Sequence, residues 1–317
     1  MRDENGAIGS AMISVAMCTY NGARFVEEQL ESILRQSYRN LEIVIVDDAS
    51  SDDTAEILKR FQERDSRIRL LFNEQNLGFL KSFERAMSES RGDFIALADQ
   101  DDVWLEHKIE TLYREIGDNL LVYSNVSLID EQGTPIDTIF PIVNRIEGRC
   151  ALSLVMCNCV TGHACLIRRE LLNKALPFPY GVVLHDQWLA IVAAASGRLK
   201  ASSEYLSLYR KHDNNAVLKK KRKRTVPKYV KKEDTEAITL NLANTMLSSG
   251  LFSNRESVLL NGFVELLKRN RSVFYNGSLE QFLLDHQEDF LQLYQDKKRY
   301  VHKLCRGSWY FKLVPFA

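Results

Sequence analysis

Phe94-Ile95-Ala96-Leu97-Ala98-Asp99-Gln100-Asp101-Asp102-Val103-Trp104 runs five apolar residues directly into three carboxylates within four positions. Such a run reads as a buried strand that presents its acids at its C-terminal edge, where open parallel sheets bind ligands. Three like charges this close repel one another, and a cation among them relieves the repulsion. Asp99 and Asp101 form an Asp-x-Asp pair suited to a hard divalent metal that bridges phosphate oxygens. The same acids also suit the N-terminus of a helix, and Trp104 opens a helix-like pattern with Leu105, Ile109, Leu112 and Tyr113 on one side.

Upstream, residues 12–18 form a first strand that turns at Thr19-Tyr20-Asn21-Gly22, and residues 25–34 follow with helical apolar spacing. Residues 41–46 form a second strand ending in Asp47-Asp48, and residues 54–61 a helix. A third strand at 68–72 leads through Asn76-Leu77-Gly78 into a helix from Phe79. This repeating strand, loop and helix order implies parallel pairing with right-handed crossovers. Thr19, Asp48, Asp99 and Asp101 then share one sheet edge. No glycine-rich dinucleotide fingerprint and no phosphate-binding Gly-x-x-x-x-Gly-Lys-Ser/Thr loop occurs, which counts against oxidoreductase and P-loop readings.

Downstream, 120–126 reads as a strand, 134–150 as a flap or surface loop, and 158–167 as strand-like around Thr161-Gly162-His163. A helix at 168–176 precedes a second one opened by His185-Asp186-Gln187-Trp188. Asp186 is either a helix cap or a carboxylate base for an acceptor hydroxyl. Trp104 and Trp188 are core residues or sugar platforms, and His163 and His185 are structural or substrate-bonding. A strand at 204–208 feeds Tyr209-Arg210-Lys211-His212, where phosphate- or metal-binding groups concentrate. Lys219 to Arg224 is an unbroken basic run, and from Tyr229 onward the patterns are helical.

The 317 residues carry 42 basic and 42 acidic side chains, a balance that opposes nucleic-acid binding. Six cysteines show no disulfide-scaffold spacing, and Cys157, Cys159, His163 and Cys165 lack the second spaced pair of a zinc site. The sequence has no cleavable signal and no apolar span of membrane length, so a cytoplasmic protein is expected, soluble or peripheral on the inner membrane face. The basic run and the terminal aromatics Trp309, Tyr310, Phe311 and Phe316 suit contact with an anionic membrane surface, or packing onto the parent domain. The tail equally offers a homodimer surface.

Taken in order, Thr19-Tyr20-Asn21-Gly22, Val46-Asp47-Asp48-Ala49-Ser50, Asn76-Leu77-Gly78, Asp99-Gln100-Asp101-Asp102-Val103-Trp104, Thr161-Gly162, His185-Asp186-Gln187-Trp188 and Tyr209-Arg210-Lys211-His212 resemble glycosyltransferase family 2. Within it they look most like bacterial rhamnosyltransferases of surface-polysaccharide synthesis. The resemblance covers residue 13 to about residue 215. It implies an α/β GT-A nucleotide-sugar transferase fold with a mostly parallel central sheet, a catalytic domain over 1–218, and a basic segment with a C-terminal helical extension over 219–317.

The implied activity is inverting, metal-dependent sugar transfer, with dTDP-rhamnose as donor and a polysaccharide or lipid-linked glycan as acceptor. A uridine-linked hexose or N-acetylhexosamine donor is the alternative within the family, and an inactive sugar-binding assembly protein the alternative outside it. The resemblance implies that Asp186 is the catalytic base and that Asp101 and His212 hold Mg or Mn. Thr19 and Asp48 fall to the nucleobase and Asp99 to the ribose or metal. Tyr20, Asn21, Asn76, Gly78, Gly162, Arg210 and Lys211 complete the donor site. Asp102, Trp104, His163, His185 and Trp188 are the candidates for contacts with the sugar or acceptor. His185 stands where the family's usual pattern carries an acid.

Overall fold

The computed structural model describes residues 11–137, 143–213, 215 and 232–306. Five strands and three helices alternate through its first third: β1 (Ile13–Thr19), α1 (Val26–Leu34), β2 (Leu41–Asp47), α2 (Thr54–Arg64), β3 (Ile68–Phe72), α3 (Phe79–Glu89), β4 (Phe94–Ala98) and β5 (Val103–Trp104). Next come α4 (Lys108–Ile116), β6 (Leu121–Ile129), β7 (Pro135–Ile136), β8 (Cys165–Arg168), α5 (Arg169–Ala175), α6 (His185–Ala195) and β9 (Leu199–Arg210). The tail is helical: α7 (Lys232–Ser248), α8 (Asn254–Arg269), α9 (Gly277–Asp285), α10 (Gln287–Phe290) and α11 (Lys297–Cys305).

The sheet runs β3-β2-β1-β4-β8-β6-β9-β5, with β7 paired to β6. β1 is parallel to both β2 and β4, and β2 to β3, as a strand-helix repeat demands. Beyond β4 the sheet becomes mixed, because β8 is antiparallel to β4 and β6 while β6 and β9 are parallel. Alternation along β1 feeds both faces: Ile13, Val15 and Met17 join one buried cluster with α1, α2 and α4, and Ala16 joins the other with α3 and α6. Such two-sided burial explains why these strands read as continuous apolar runs.

Two sequence readings are corrected here. Trp104 begins no helix: Val103 and Trp104 pair with Leu208 and Ser207 of β9, and the helix starts at Lys108. The last long strand extends from Leu199, five residues before its expected start, and pairs along β6. The expected domain boundary at 218/219, the basic run 219–224 and the aromatic terminus 309–316 lie outside the described residues. Among the described residues, no helix is long and apolar enough to cross a membrane.

Among the described residues, the helical tail shares its core with the sheet domain. Met246 of α7, Phe263 of α8 and Phe290 of α10 belong to the same buried cluster as Trp188 and Leu189 of α6. Polar ties reinforce the join: Arg149 and Glu256 form an ion pair at 2.6 Å, and the Ser153 hydroxyl donates to the Asp289 carbonyl at 2.7 Å. Phe263→Ala is therefore expected to cost about 3–5 kcal/mol. Because the cluster is shared, calorimetric unfolding should show one transition moved downward, rather than early melting of the tail alone.

Candidate functional site

The parallel strands β1, β2 and β4 end at one edge, and there a cleft of about 440 Å³ opens. Thr19 and Tyr20 follow β1, Asp48 follows β2, Asp99 to Asp101 follow β4, and His185 and Asp186 open α6 on the facing wall. Asn76, Gly78 and Phe79 supply the lip at the start of α3.

Asp48 is buried and accepts hydrogen bonds from Asn73 Nδ2 at 2.7 Å, Leu77 N at 2.9 Å and Gly78 N at 2.8 Å. Burial alone raises its pKa, but these donors outweigh it and hold the carboxyl below its ordinary range. Asp48 therefore fixes the Asn76-Leu77-Gly78 turn, in which Gly78 takes the left-handed φ of 83°. Thr19 Oγ1 donates to Asp47 at 2.8 Å, locking the ends of β1 and β2. A second brace joins β1 to β4: Gln100 accepts from Tyr20 N at 2.8 Å and donates to Tyr20 O at 3.1 Å. Gly22 leaves room for that amide, since a Cβ there would stand 2.2 Å from Gln100 Oε1.

The three acids of the opening stretch face different surroundings. Asp99 remains 41% exposed, and its carboxylate lies 3.3 Å from His163 Nδ1. Desolvation in the cleft raises its pKa, yet the hydrogen bond and charge of His163, with His185 and Lys108, bring it below the usual value. Asp101 bonds His212 Nε2 at 2.7 Å. Burial, with repulsion from Asp102 and Asp99, pushes Asp101 up to about 6 despite the stabilising His212 bond. Asp102 is fully buried and pairs with His163 at 2.6 Å, while its other oxygen accepts from Arg210 N. Burial opposes a charge on His163, but Asp102 and Asp99 more than compensate and raise it to about 9.

These residues fit a hard divalent cation. Asp99 and Asp101 line the cleft, His212 adds an imidazole nitrogen beside Asp101, and burial together with the neighbouring acids disfavours the Asp101 charge, which a cation would offset. Asp99, Asp102 and His163 also bring one ligand atom each within 4.8 Å of one another. In that trio the Asp102 and His163 side chains are wholly interior; His163 Nδ1 faces both Asp102 and Asp99, and His163 Nε2 has no hydrogen-bond partner among the described residues. Asp99 and Asp101 line the cleft, and His212 bonds Asp101 from beside it.

Asp186 lies across from these acids at the first turn of α6. It accepts from Gly162 N at 3.1 Å, Asn158 Nδ2 at 3.0 Å and Gln187 N at 2.7 Å. Burial raises its pKa most, aided by Asp99, against the lowering effect of His185 and the backbone donors; the net shift is upward. A carboxylate fixed in direction and raised in proton affinity suits general-base chemistry.

Several expected contacts are not where the sequence placed them. Trp104 is buried beneath Lys108, whose Nζ stands 3.6 Å over its ring, and Trp188 is buried with its Nε1 bonded to Ala175 O. Neither presents a face to the cleft. Asp102 and His163 form an internal ion pair and do not line it. Arg210 is also buried: its guanidinium bonds Glu28 at 2.6 Å and Asp101 O at 2.9 Å, which anchors the acidic loop instead of a phosphate. Lys211 donates its N–H to Ile129 O at the sheet edge, and Asn21 accepts from Ser51 N in the β1 turn; neither lines the cleft. Volume and apolar surface favour the interior for the tryptophans, while pairing makes burial tolerable for the charged groups.

Lys108 escapes the sequence reading because its helical spacing marks only a core-facing position. Its Nζ bonds the His163 carbonyl, and burial depresses it to about 7 although Asp102, Cys165 and Asp99 oppose the shift. Removing it leaves the buried His163 carbonyl without this donor, so Lys108→Met should cost about 1–3 kcal/mol in urea unfolding.

The family model described as Glycosyl transferase family 2 matches residues 14–176, just over half of the chain. Glycosyltransferase GlyG of Streptococcus pneumoniae is 38% identical over 34% of this chain and 36% of its own length. The putative teichuronic acid biosynthesis glycosyltransferase TuaG of Bacillus subtilis is 30% identical over 47% of this chain and 60% of its own. The chain thus spans less than two thirds of either relative. UDP-Glc:alpha-D-GlcNAc-diphosphoundecaprenol beta-1,3-glucosyltransferase WfgD of Escherichia coli is 30% identical over 57% of this chain and 70% of its own.

Among solved structures, S. aureus TarS with UDP-GlcNAc aligns with a TM-score of 0.59 at 17% identity, covering 92% of this chain and 83% of that one. Mannosyltransferase PcManGT of Pyrobaculum calidifontis, with GDP-Man and Mn2+, aligns at 0.57 and 16% identity over 93% and 84%. At such identities the likeness establishes the GT-A type fold. Joined to the family match and the acid-lined sheet edge, it leads to one conclusion: the chain belongs to glycosyl transferase family 2.

Proposed function

We propose that the protein transfers a hexose, with inversion, from a nucleoside diphosphate to a hydroxyl of a lipid-linked or polysaccharide glycan. The observation that carries this reading is the placement of Asp186 in the same cleft as Asp99 and Asp101, but on a separate element with its own set of donors. One carboxylate can then serve the nucleophile while the others serve the leaving group.

Thr19, Tyr20, Asp48, Asn76 and Gly78 form the nucleoside end, Asp99 faces the ribose and the metal, and Asp101 with His212 holds Mg or Mn. When bound, the metal neutralises charge growing on the departing diphosphate. Asp186 takes the acceptor hydroxyl's proton as that oxygen attacks the anomeric carbon; the bond to the diphosphate breaks, and the diphosphate leaves with the electron pair. Gly162 N and Asn158 orient the Asp186 carboxylate, and Phe79 and Phe83 give the cleft an apolar wall that limits water.

The motif order supports dTDP-rhamnose as donor. A UDP-hexose is the second reading, favoured by the activity for which the E. coli relative is named, whose GlcNAc-diphosphoundecaprenol acceptor also supports a lipid-linked acceptor here. Nucleoside diphosphate release should be measured with dTDP-rhamnose, UDP-glucose, UDP-galactose and UDP-N-acetylglucosamine, each with Mn2+ and with lipid-linked saccharide acceptors. A donor consumed only with acceptor, giving a product of inverted anomeric configuration, is the expected result. Retained configuration refutes the single displacement.

A further inference from the structure

We infer that the His185 imidazole bonds a hydroxyl of the donor sugar and so sets which sugar nucleotide the cleft accepts, an inference that rests on the nucleotide-sugar reading above. His185 is only 8% exposed, yet neither Nδ1 nor Nε2 has a hydrogen-bond partner among the described residues. It lines the cleft. A buried imidazole without partners carries an uncompensated desolvation cost, which a bonded ligand removes.

The ring is held rather than loose. Phe83 stacks on it at 4.3 Å between centroids, and Phe79 meets it edge-on at 5.9 Å. Gly162 makes its room, since a Cβ there would stand 2.8 Å from Nε2. Packing of this kind fixes the direction of both nitrogens, as a recognition group requires.

Its place in the cleft selects the partner. His185 adjoins Asp186 in sequence and lines the same cleft as Asp186 and Asp99. The proposed reaction sets the transferred sugar between those two acids. The nucleoside end lies farther along, at Asp48 and the Gly78 turn that it fixes. A neutral imidazole offers one donor and one acceptor, which matches a hydroxyl capable of both. Sites built to bond a hydroxyl discriminate strongly against ligands that lack it in the required position.

The full chain with Mn2+ is titrated calorimetrically with UDP, UDP-glucose, UDP-galactose, UDP-N-acetylglucosamine, dTDP and dTDP-rhamnose. In the wild type, one sugar nucleotide binds more tightly than its own bare diphosphate. His185→Phe keeps an aromatic ring beside Phe83 and should weaken that sugar nucleotide about tenfold while moving the bare diphosphate less than about twofold. His185→Asn, which restores hydrogen-bonding atoms, should recover part of the loss.

Equal losses for sugar nucleotide and bare diphosphate, or no loss in either, overturn the inference alone. So does a wild type that binds no sugar nucleotide better than its diphosphate. A defect confined to the acceptor KM during transfer moves the hydroxyl to the acceptor and likewise overturns the donor assignment. Failure of the wild type to bind any nucleoside diphosphate with Mn2+ sinks the proposed function and this inference together.

Discussion

Asp186→Asn should lower the rate of transfer at saturating substrates by about 10²–10⁴-fold, the usual contribution of a positioned general base. The substitution is close to isosteric, and the amide oxygen can still accept from Gly162 N, so the opening of α6 retains its shape. What is lost is the capacity to take a proton at neutral pH. Affinity for a metal-bound nucleoside diphosphate should change little, because the proposed reading assigns that end of the ligand to Asp48, Asp99 and Asp101 instead. A pH profile adds a sharper criterion. Burial raises the Asp186 pKa above the ordinary carboxylate value, so the wild-type rate climbs with pH until this group is ionised and then levels. The variant should lack that climb. Unchanged transfer by Asp186→Asn removes this residue as the base.

The sequence discloses this acid and its partners unequally, and for physical reasons. β1, β2 and β4 are buried on both faces, so each is an apolar run that must stop where polar ligands begin; Thr19, Asp48 and Asp99 stand at those stops. Asp186 is similarly visible, as an acid at the start of an apolar helix. Trp104 misleads because its apolar spacing with Leu105, Ile109 and Leu112 mimics a helix, whereas pairing with Ser207, more than a hundred residues later, draws it into the sheet. The early part of β9 hides for a different reason. Ser203, Glu204 and Tyr205 are exposed there, so the strand lacks the apolar signature that its pairing with β6 overrides.

Contacts that orient the site are the least legible. Asn158 reaches Asp186 across 28 residues, Lys108 reaches the His163 carbonyl across 55, and Arg210 bonds Glu28 across 182. A basic residue after a strand has the same local appearance whether it binds phosphate or anchors a loop. The fold makes the choice. Arg210 is drawn inward by Glu28, Phe25 and the Asp101 carbonyl, so its charge anchors the acidic loop and does not face the cleft.

That anchoring gives Asp101 its leverage in the second large effect. Asp101→Ala should weaken Mn2+-dependent binding of a nucleoside diphosphate on the order of 100-fold, the upper range seen when even an outer partner of a metal ligand is lost. Binding measured without metal should move little, which separates the loss of a ligand from general damage to the cleft. His212→Ala should fall in the same direction, because its Nε2 lies 2.7 Å from the Asp101 carboxylate. Acid supplies an independent check. Burial and the neighbouring acids hold Asp101 at about 6, so protons compete with the metal in a range where an ordinary carboxyl is already ionised. Metal-dependent affinity should therefore decline below pH 6, by as much as about tenfold per pH unit where this one group controls binding. The metal-free protein should show the opposite trend in stability. Its folded-state pKa lies above the unfolded one, so this residue's contribution to folding is greatest below the ordinary carboxyl value and is lost as pH rises through 6. Calorimetric titration of wild type and Asp101→Ala from pH 5 to pH 8 measures the affinity and urea unfolding of the metal-free proteins the stability, and equal Mn2+-dependent affinities across that range would refute the metal role of Asp101.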